Sequence, residues 1–132
     1  MKLSRAVLAL AVALVVNVLL VILLTPIGFE SRPATDLKTV GYIAIGTIFT
    51  GLALDLGSIA LLVFRRVRLA SNLAIVGSIL FFFPIIGDQT GSFFSLPIPP
   101  AIHTLEYISV VVLLVILFLA ARVHRLSYPS PS

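Results

Sequence analysis

The chain has 132 residues, of which 60% are hydrophobic and 11% charged, and its mean hydropathy is +1.22. A soluble domain carries about 25% charged residues, so this composition excludes a water-soluble globule, and it is too poor in charge and polar tracts for a disordered chain. The absence of cysteine removes disulfides, zinc–thiolate sites, iron–sulfur clusters and thiol nucleophiles. A pI near 10.1 would point to nucleic acid in a soluble protein. Here the cations have another use, and no nucleic-acid partner is expected.

Four apolar runs have the length that a hydrocarbon layer of roughly 30 Å demands of a helix. The first, residues 6–24, follows Met1-Lys2-Leu3-Ser4-Arg5 and so resembles a signal peptide. It is longer than the roughly 7–15 apolar residues of a signal sequence, and it meets Thr25-Pro26-Ile27 in place of a small-residue cleavage site. A retained helix ending at Thr25-Pro26 is expected. The second run, residues 40–64, holds one charge, Asp55. The third, residues 69–86, is short and predicted to break near Pro84. The fourth, residues 101–121, is entered through Pro97, Pro99 and Pro100. None alternates in polarity as barrel strands do, and helices satisfy their own backbone in lipid. The expected fold is all-α: one domain over residues 1–132, an integral membrane four-helix bundle, up-down-up-down.

Seven of the nine lysines and arginines fall on one side of four such crossings: Lys2, Arg5, Arg65, Arg66, Arg68, Arg122 and Arg125. The other side has Arg32 and Lys38. The positive-inside rule then places both termini and the Arg65–Arg68 turn in the cytoplasm of a multi-pass cell-membrane protein. The cationic rim is predicted to favour anionic lipid headgroups. His124, between Arg122 and Arg125, reads as part of this solvated rim. The loop 25–39 is short and nearly charge-balanced. The loop 87–100 carries Phe93, Phe94, Leu96 and Ile98, too apolar for a free aqueous segment, and is expected at the interface or folded over the end of the bundle. The tail 127–132 is a plain polar end. Pro26-Ile27-Gly28-Phe29-Glu30-Ser31 resembles Pro84-Ile85-Ile86-Gly87-Asp88-Gln89-Thr90, and Arg66-Val67-Arg68-Leu69 resembles Arg122-Val123-His124-Arg125-Leu126. This weak echo suggests two duplicated hairpins, although proline-glycine exits and arginine-rich stops recur at unrelated helix ends.

Asp55 is the sharpest signal. It stands ten residues before Arg65, roughly 15 Å into the membrane, where a carboxylate costs at least ~2.5–3.5 kcal/mol unless it faces protein or water. Ala44, Thr47, Gly51, Asp55 and Ser58 share one helical face, a stripe of small and polar residues suited to close helix contact. The same arithmetic puts Asn17 at roughly 18 Å, Ser78 at roughly 15 Å and Ser109 at roughly 20 Å. A common polar layer of Asp55, Asn17, Ser58, Ser78 and Ser109 is therefore expected, with Asp55 within hydrogen-bond reach of Asn17. Two readings stand open. Asp55 is either a protonatable site on an ion or substrate path, or a buried carboxyl that joins helices and fixes their register.

A second polar group is predicted at the outer face, from His103 and Glu106 at i and i+3 with Asp88 and Gln89. One histidine with two acids is thin for a metal, and no metal or cofactor is expected. Phosphate loops, HExxH and nucleophile elbows are absent from the sequence, so no catalytic set is assigned and a non-enzyme is favoured. The leading functional expectation is a small accessory or assembly subunit that associates with itself or another membrane protein. The alternatives are a small transporter or channel subunit using Asp55, and an intramembrane enzyme acting on a lipid or quinone at the outer group.

Overall fold

The computed structural model describes residues 2–128, without the side chains of Phe29 and Ala34. Met1 and the last four residues of the polar tail lie outside the described residues. Four helices dominate: α1 (Leu3–Ser31), α2 (Thr39–Val63), α3 (Val67–Gln89) and α4 (Pro100–Leu126), with a 3-10 turn, η1, at Ala34–Asp36. All four are long and apolar enough to cross a membrane. Their large apolar side chains point outward: Leu8, Phe49 and Phe118 are 66%, 67% and 65% exposed. The interior faces are lined instead by small and polar residues, Gly41, Ala44, Gly51, Asp55 and Ser58 on α2 and Ala70, Ser71, Ala74, Gly77 and Ser78 on α3.

That inversion follows from the solvent. Lipid tails are as apolar as leucine, so helices associate through close packing and interhelical hydrogen bonds, and small residues allow the approach. At Gly51 a Cβ would lie 2.8 Å from the Phe81 ring, and at Gly77 it would lie 3.1 Å from Asp55 Oδ1 and 3.3 Å from Leu54 Cβ. The Ser58 hydroxyl donates to the Ala70 carbonyl at 2.7 Å across the same seam. Each helix packs on its sequence neighbour and α1 packs on α4, so the four close a ring. The α2–α3 seam is the most extensive and the α1–α2 seam the least.

Two expected helix breaks are not present. α1 runs through Pro26 to Ser31 and α3 runs through Pro84 to Gln89. Each proline removes one backbone N–H close to its helix end, where little of the ladder remains to be disturbed. The Thr25 hydroxyl donates to the Val21 carbonyl at 2.9 Å, supplying a side-chain donor beside the gap. Pro100, in contrast, opens α4 at its first turn, where the missing N–H costs nothing.

The turn from α2 to α3 closes by the paired bonds of a Schellman motif, with Arg66 N–H on the Leu61 carbonyl at 2.8 Å and Arg65 N–H on that of Leu62 at 3.1 Å. Arg65 takes the left-handed position, φ 61°. The same motif ends α3, with Gly91 in that position. The two loops at the far end clasp each other: Lys38 N–H donates to the Phe93 carbonyl at 2.7 Å, and Leu37 and Phe94 form an antiparallel bridge. Phe93 is buried under Gly87, whose bare Cα leaves room for the ring. The Asp36 carboxylate gathers the backbone N–H groups of Ser95 and Leu96, at 3.1 and 3.0 Å, and the Ser95 hydroxyl.

Packing is uneven along the bundle. Around the Arg65 end, Ala6, Leu10, Leu14, Leu62, Ile116 and Val123 belong to one continuous apolar core. Towards the Arg32 end the second core is reduced to Val21, Phe81 and Leu113. One half of the bundle is filled and the other is hollow.

Candidate functional site

The hollow half holds a cavity of about 290 Å³. Its lining comes from the last turns of α1, the first turns of α2, the end of α3 and the start of α4, capped by Phe93 and Phe94 of the loop. Among the lining residues Thr25 of α1 and Phe49 of α2 are exposed, so the cavity reaches the surface at the loosely packed α1–α2 seam. The walls are almost wholly apolar. Polar groups reach it at two levels, Asn17 near its depth and Arg32, Asp88, Glu106 and Ser109 nearer its mouth.

At the deep level, Asn17 Nδ2 donates to Asp55 Oδ2 at 2.7 Å, and both residues are buried. Asp55 Oδ1 has no hydrogen-bond partner among the described residues, nor has the Ser78 hydroxyl. Ser78 shares the Asp55 level through its neighbour Gly77. Ser58 lies one turn towards the Arg65 end and spends its proton on Ala70. Further still, the Ser71 hydroxyl donates to the Arg68 carbonyl at 2.7 Å and meets His124 Nδ1 at 3.3 Å. His124 is therefore not simply a solvated rim residue: it is half-buried against α3 and stacks edge-on with Tyr128.

Ser109 is not part of the Asp55 level. Gln89 Nε2 donates to Glu106 Oε2 at 3.0 Å, which fixes the register of α3 against α4. Ser109 then lies one turn, roughly 4.5 Å, inward of that contact, whereas Gly77 and Asp55 lie roughly 18 Å inward. The polar side chains form a ladder along the bundle axis in place of a single layer. Ser109 Oγ is buried and without a partner among the described residues.

At the mouth, Arg32 Nη1 and Nη2 donate to Asp88 Oδ1 and Oδ2 at 2.7 and 2.8 Å. The guanidinium lies 4.2 Å from the centre of the Phe94 ring. Glu106 is buried beside this pair and lies against Asp88. Asp88, Gln89 and Glu106 lie together in space, and Arg32, which the sequence reading assigned only to the outer side, joins them. The signal that would have corrected this is the apolar loop: Phe94 needs a partner, and a cation supplies one. His103 does not join the group. It is half-buried and stacks edge-on with Tyr107, ring centres 4.5 Å apart. No set of three histidine or acidic side chains among the described residues is arranged to hold a metal. Outside the spans, the Asp36 carboxyl sits below its ordinary value of 3.8, held there first by the Ser95 hydroxyl and then by the Leu96 N–H.

Compared with protein-family models, with curated proteins and with solved structures, the chain matches none.

Proposed function

We propose that this chain is a non-enzymatic, multi-pass membrane protein that holds a small lipophilic molecule in the cavity between α1 and α2. One observation carries the reading: an otherwise apolar cavity of about 290 Å³ that is bounded by a few placed polar side chains. Ligand sites have this composition, a predominantly apolar lining with a small number of orienting polar groups. The seven cations at the Arg65 end support an up-down-up-down bundle with both termini cytoplasmic and anionic lipid headgroups at that rim, in a cell membrane. In that orientation the cavity belongs to the outer leaflet.

The test is native mass spectrometry of protein released from mild detergent. The wild type should carry a small-molecule adduct, identifiable after organic extraction. Ala44→Phe and Ser109→Leu, which add bulk to the lining, should lose it while keeping the helical circular-dichroism signal. Wild-type protein with no adduct, and with no thermal shift from added lipophilic compounds, would overturn the reading.

An accessory-subunit reading has its own support. Gly46, Thr50 and Ala53 form an exposed small-residue face on α2, and a Cβ at Gly46 would meet nothing within 4 Å. Small-xxx-small faces of this kind suit a further transmembrane helix. A transporter reading shares the cavity and would need a path past Asp55, which the packed core at the Arg65 end closes in this conformation.

A further inference from the structure

We infer that the molecule held in this cavity carries a positive charge, and that Glu106 is the group that selects it; this rests on the cavity being a ligand site, as proposed above. The charged side chains that face the cavity are Arg32, which caps the end of α1, Asp88 from α3 and Glu106 from α4. The α2 wall is apolar and glycine, and the loop adds Phe93 and Phe94. Arg32 is largely engaged, with only its buried Nε–H left without a partner among the described residues. Both of its terminal nitrogens are committed to Asp88 and its face to Phe94.

One guanidinium thus stands beside two carboxyl groups: it grips Asp88, while Glu106 lies against Asp88 and accepts from the neutral donor Gln89. Two adjacent carboxyl groups share one guanidinium, so a second cation is what would let both ionise. Ser109, 3% exposed, supplies an independent sign that something is bound here: it lines the cavity one turn from Glu106, and its hydroxyl has no partner among the described residues. A cationic head lying between Glu106 and Ser109 would meet the Glu106 carboxyl, ionised in its presence, and the hydroxyl oxygen together. Its apolar body would extend along Phe49 and Phe81, whose aromatic character also favours a cation.

Charge decides between ligands more sharply here than it does in water, because opposite charges interact more strongly where the local dielectric is low. An anion would meet two carboxyl groups and, from Arg32, only the buried Nε–H, since both terminal nitrogens are held by Asp88. A neutral apolar molecule would gain nothing from Glu106. The ligand class is therefore a compact lipophilic ammonium, protonated or quaternary.

The experiment compares two probes of the same shape, phenyltrimethylammonium and tert-butylbenzene, with benzenesulfonate as the anion, by equilibrium binding to the full chain in neutral detergent. The cation should bind at least tenfold more tightly than its neutral isostere, and the anion should not bind. In Glu106→Gln the cation should lose at least tenfold while the neutral probe is unchanged, which also reports that the cavity is intact. Equal binding of cation and neutral isostere in the wild type overturns the charge inference and leaves the cavity standing as a ligand site, with or without a folded variant. Loss of cation binding in Glu106→Gln without any wild-type preference for charge overturns it equally. Binding of none of the three overturns both readings.

Discussion

Arg32 and Asp88 stand 56 positions apart and meet fork to fork, with two hydrogen bonds of 2.7 and 2.8 Å. Their side chains are 4% and 11% exposed, so the contact ties the end of α1 to the end of α3 inside the protein, over the mouth of the cavity. A buried pair of this kind owes little to net stability and much to placement: desolvating both ions offsets most of their attraction. What it specifies is where the two helix ends sit.

Breaking the pair from one side strands a charge. Arg32→Met should lower stability by about 3–5 kcal/mol, because Asp88 loses its counter-ion while Glu106 stays beside it. Arg32→Met with Asp88→Leu should recover most of that loss. Thermal unfolding in detergent over the double-mutant cycle reads the coupling. Additive losses would show that the pair does not act as a unit.

The Asn17–Asp55 bond distinguishes glue from chemistry. Asp55→Asn keeps a hydrogen-bonding group of similar size and should shift stability by less than ~1 kcal/mol. Asp55→Leu leaves the Asn17 amide buried without a partner and should cost ~1–3 kcal/mol. Equal effects of the two variants on unfolding would contradict a structural role. A proton-coupled role would show instead as an Asn variant that is stable but has lost pH-dependent ligand binding.

Acid should open the clasp between the two loops. The Asp36 carboxyl is held below 3.8 by the Ser95 hydroxyl and the Leu96 N–H. Its folded pKa is depressed, so its contribution is complete above the ordinary carboxylate range and is lost as pH falls through the lowered folded value. Amide exchange at Ser95 and Leu96, corrected for intrinsic pH dependence, should stay slow at neutral pH and quicken below about pH 4. In Asp36→Asn that transition should vanish.

The expected orientation is open to direct labelling, since the chain has no cysteine and introduced thiols have no background. A cysteine at exposed Ser92 should react with an impermeant maleimide from outside intact cells, and one at exposed Ser4 only after permeabilisation. The opposite pattern would invert the bundle, and with it the leaflet that the cavity faces.

The four helices were legible because run length and hydropathy are properties of local sequence, and the bilayer imposes a single length on all of them. The Asn17–Asp55 contact was legible for a related reason: depth counted from Arg5 and Arg65 is linear along a helix. The same count misplaced Ser109, because α4 continues to Leu126 and Arg122 does not mark its edge. Arg32 was missed for a non-local reason. A cation before a proline at a helix end reads as water-facing, and what draws it inward is an acid on α3 and an aromatic ring on another loop. The cavity itself had no signature, since it arises from how far α1 and α2 stand apart.

That separation decides how the site is supplied. Because the lining reaches the surface at Thr25 and Phe49, between two helices, a lipophilic molecule held there as proposed would arrive from the bilayer, and the concentration that would govern occupancy is the one in lipid. Each tenfold of partitioning into the membrane stands in for about 1.4 kcal/mol of binding energy measured from water. The apolar wall then contributes almost nothing to net occupancy, since leaving hydrocarbon for leucine and phenylalanine is an exchange of like for like. Discrimination among the molecules dissolved in the leaflet falls on the few polar atoms at the mouth, so a site that looks greasy selects by its head group alone.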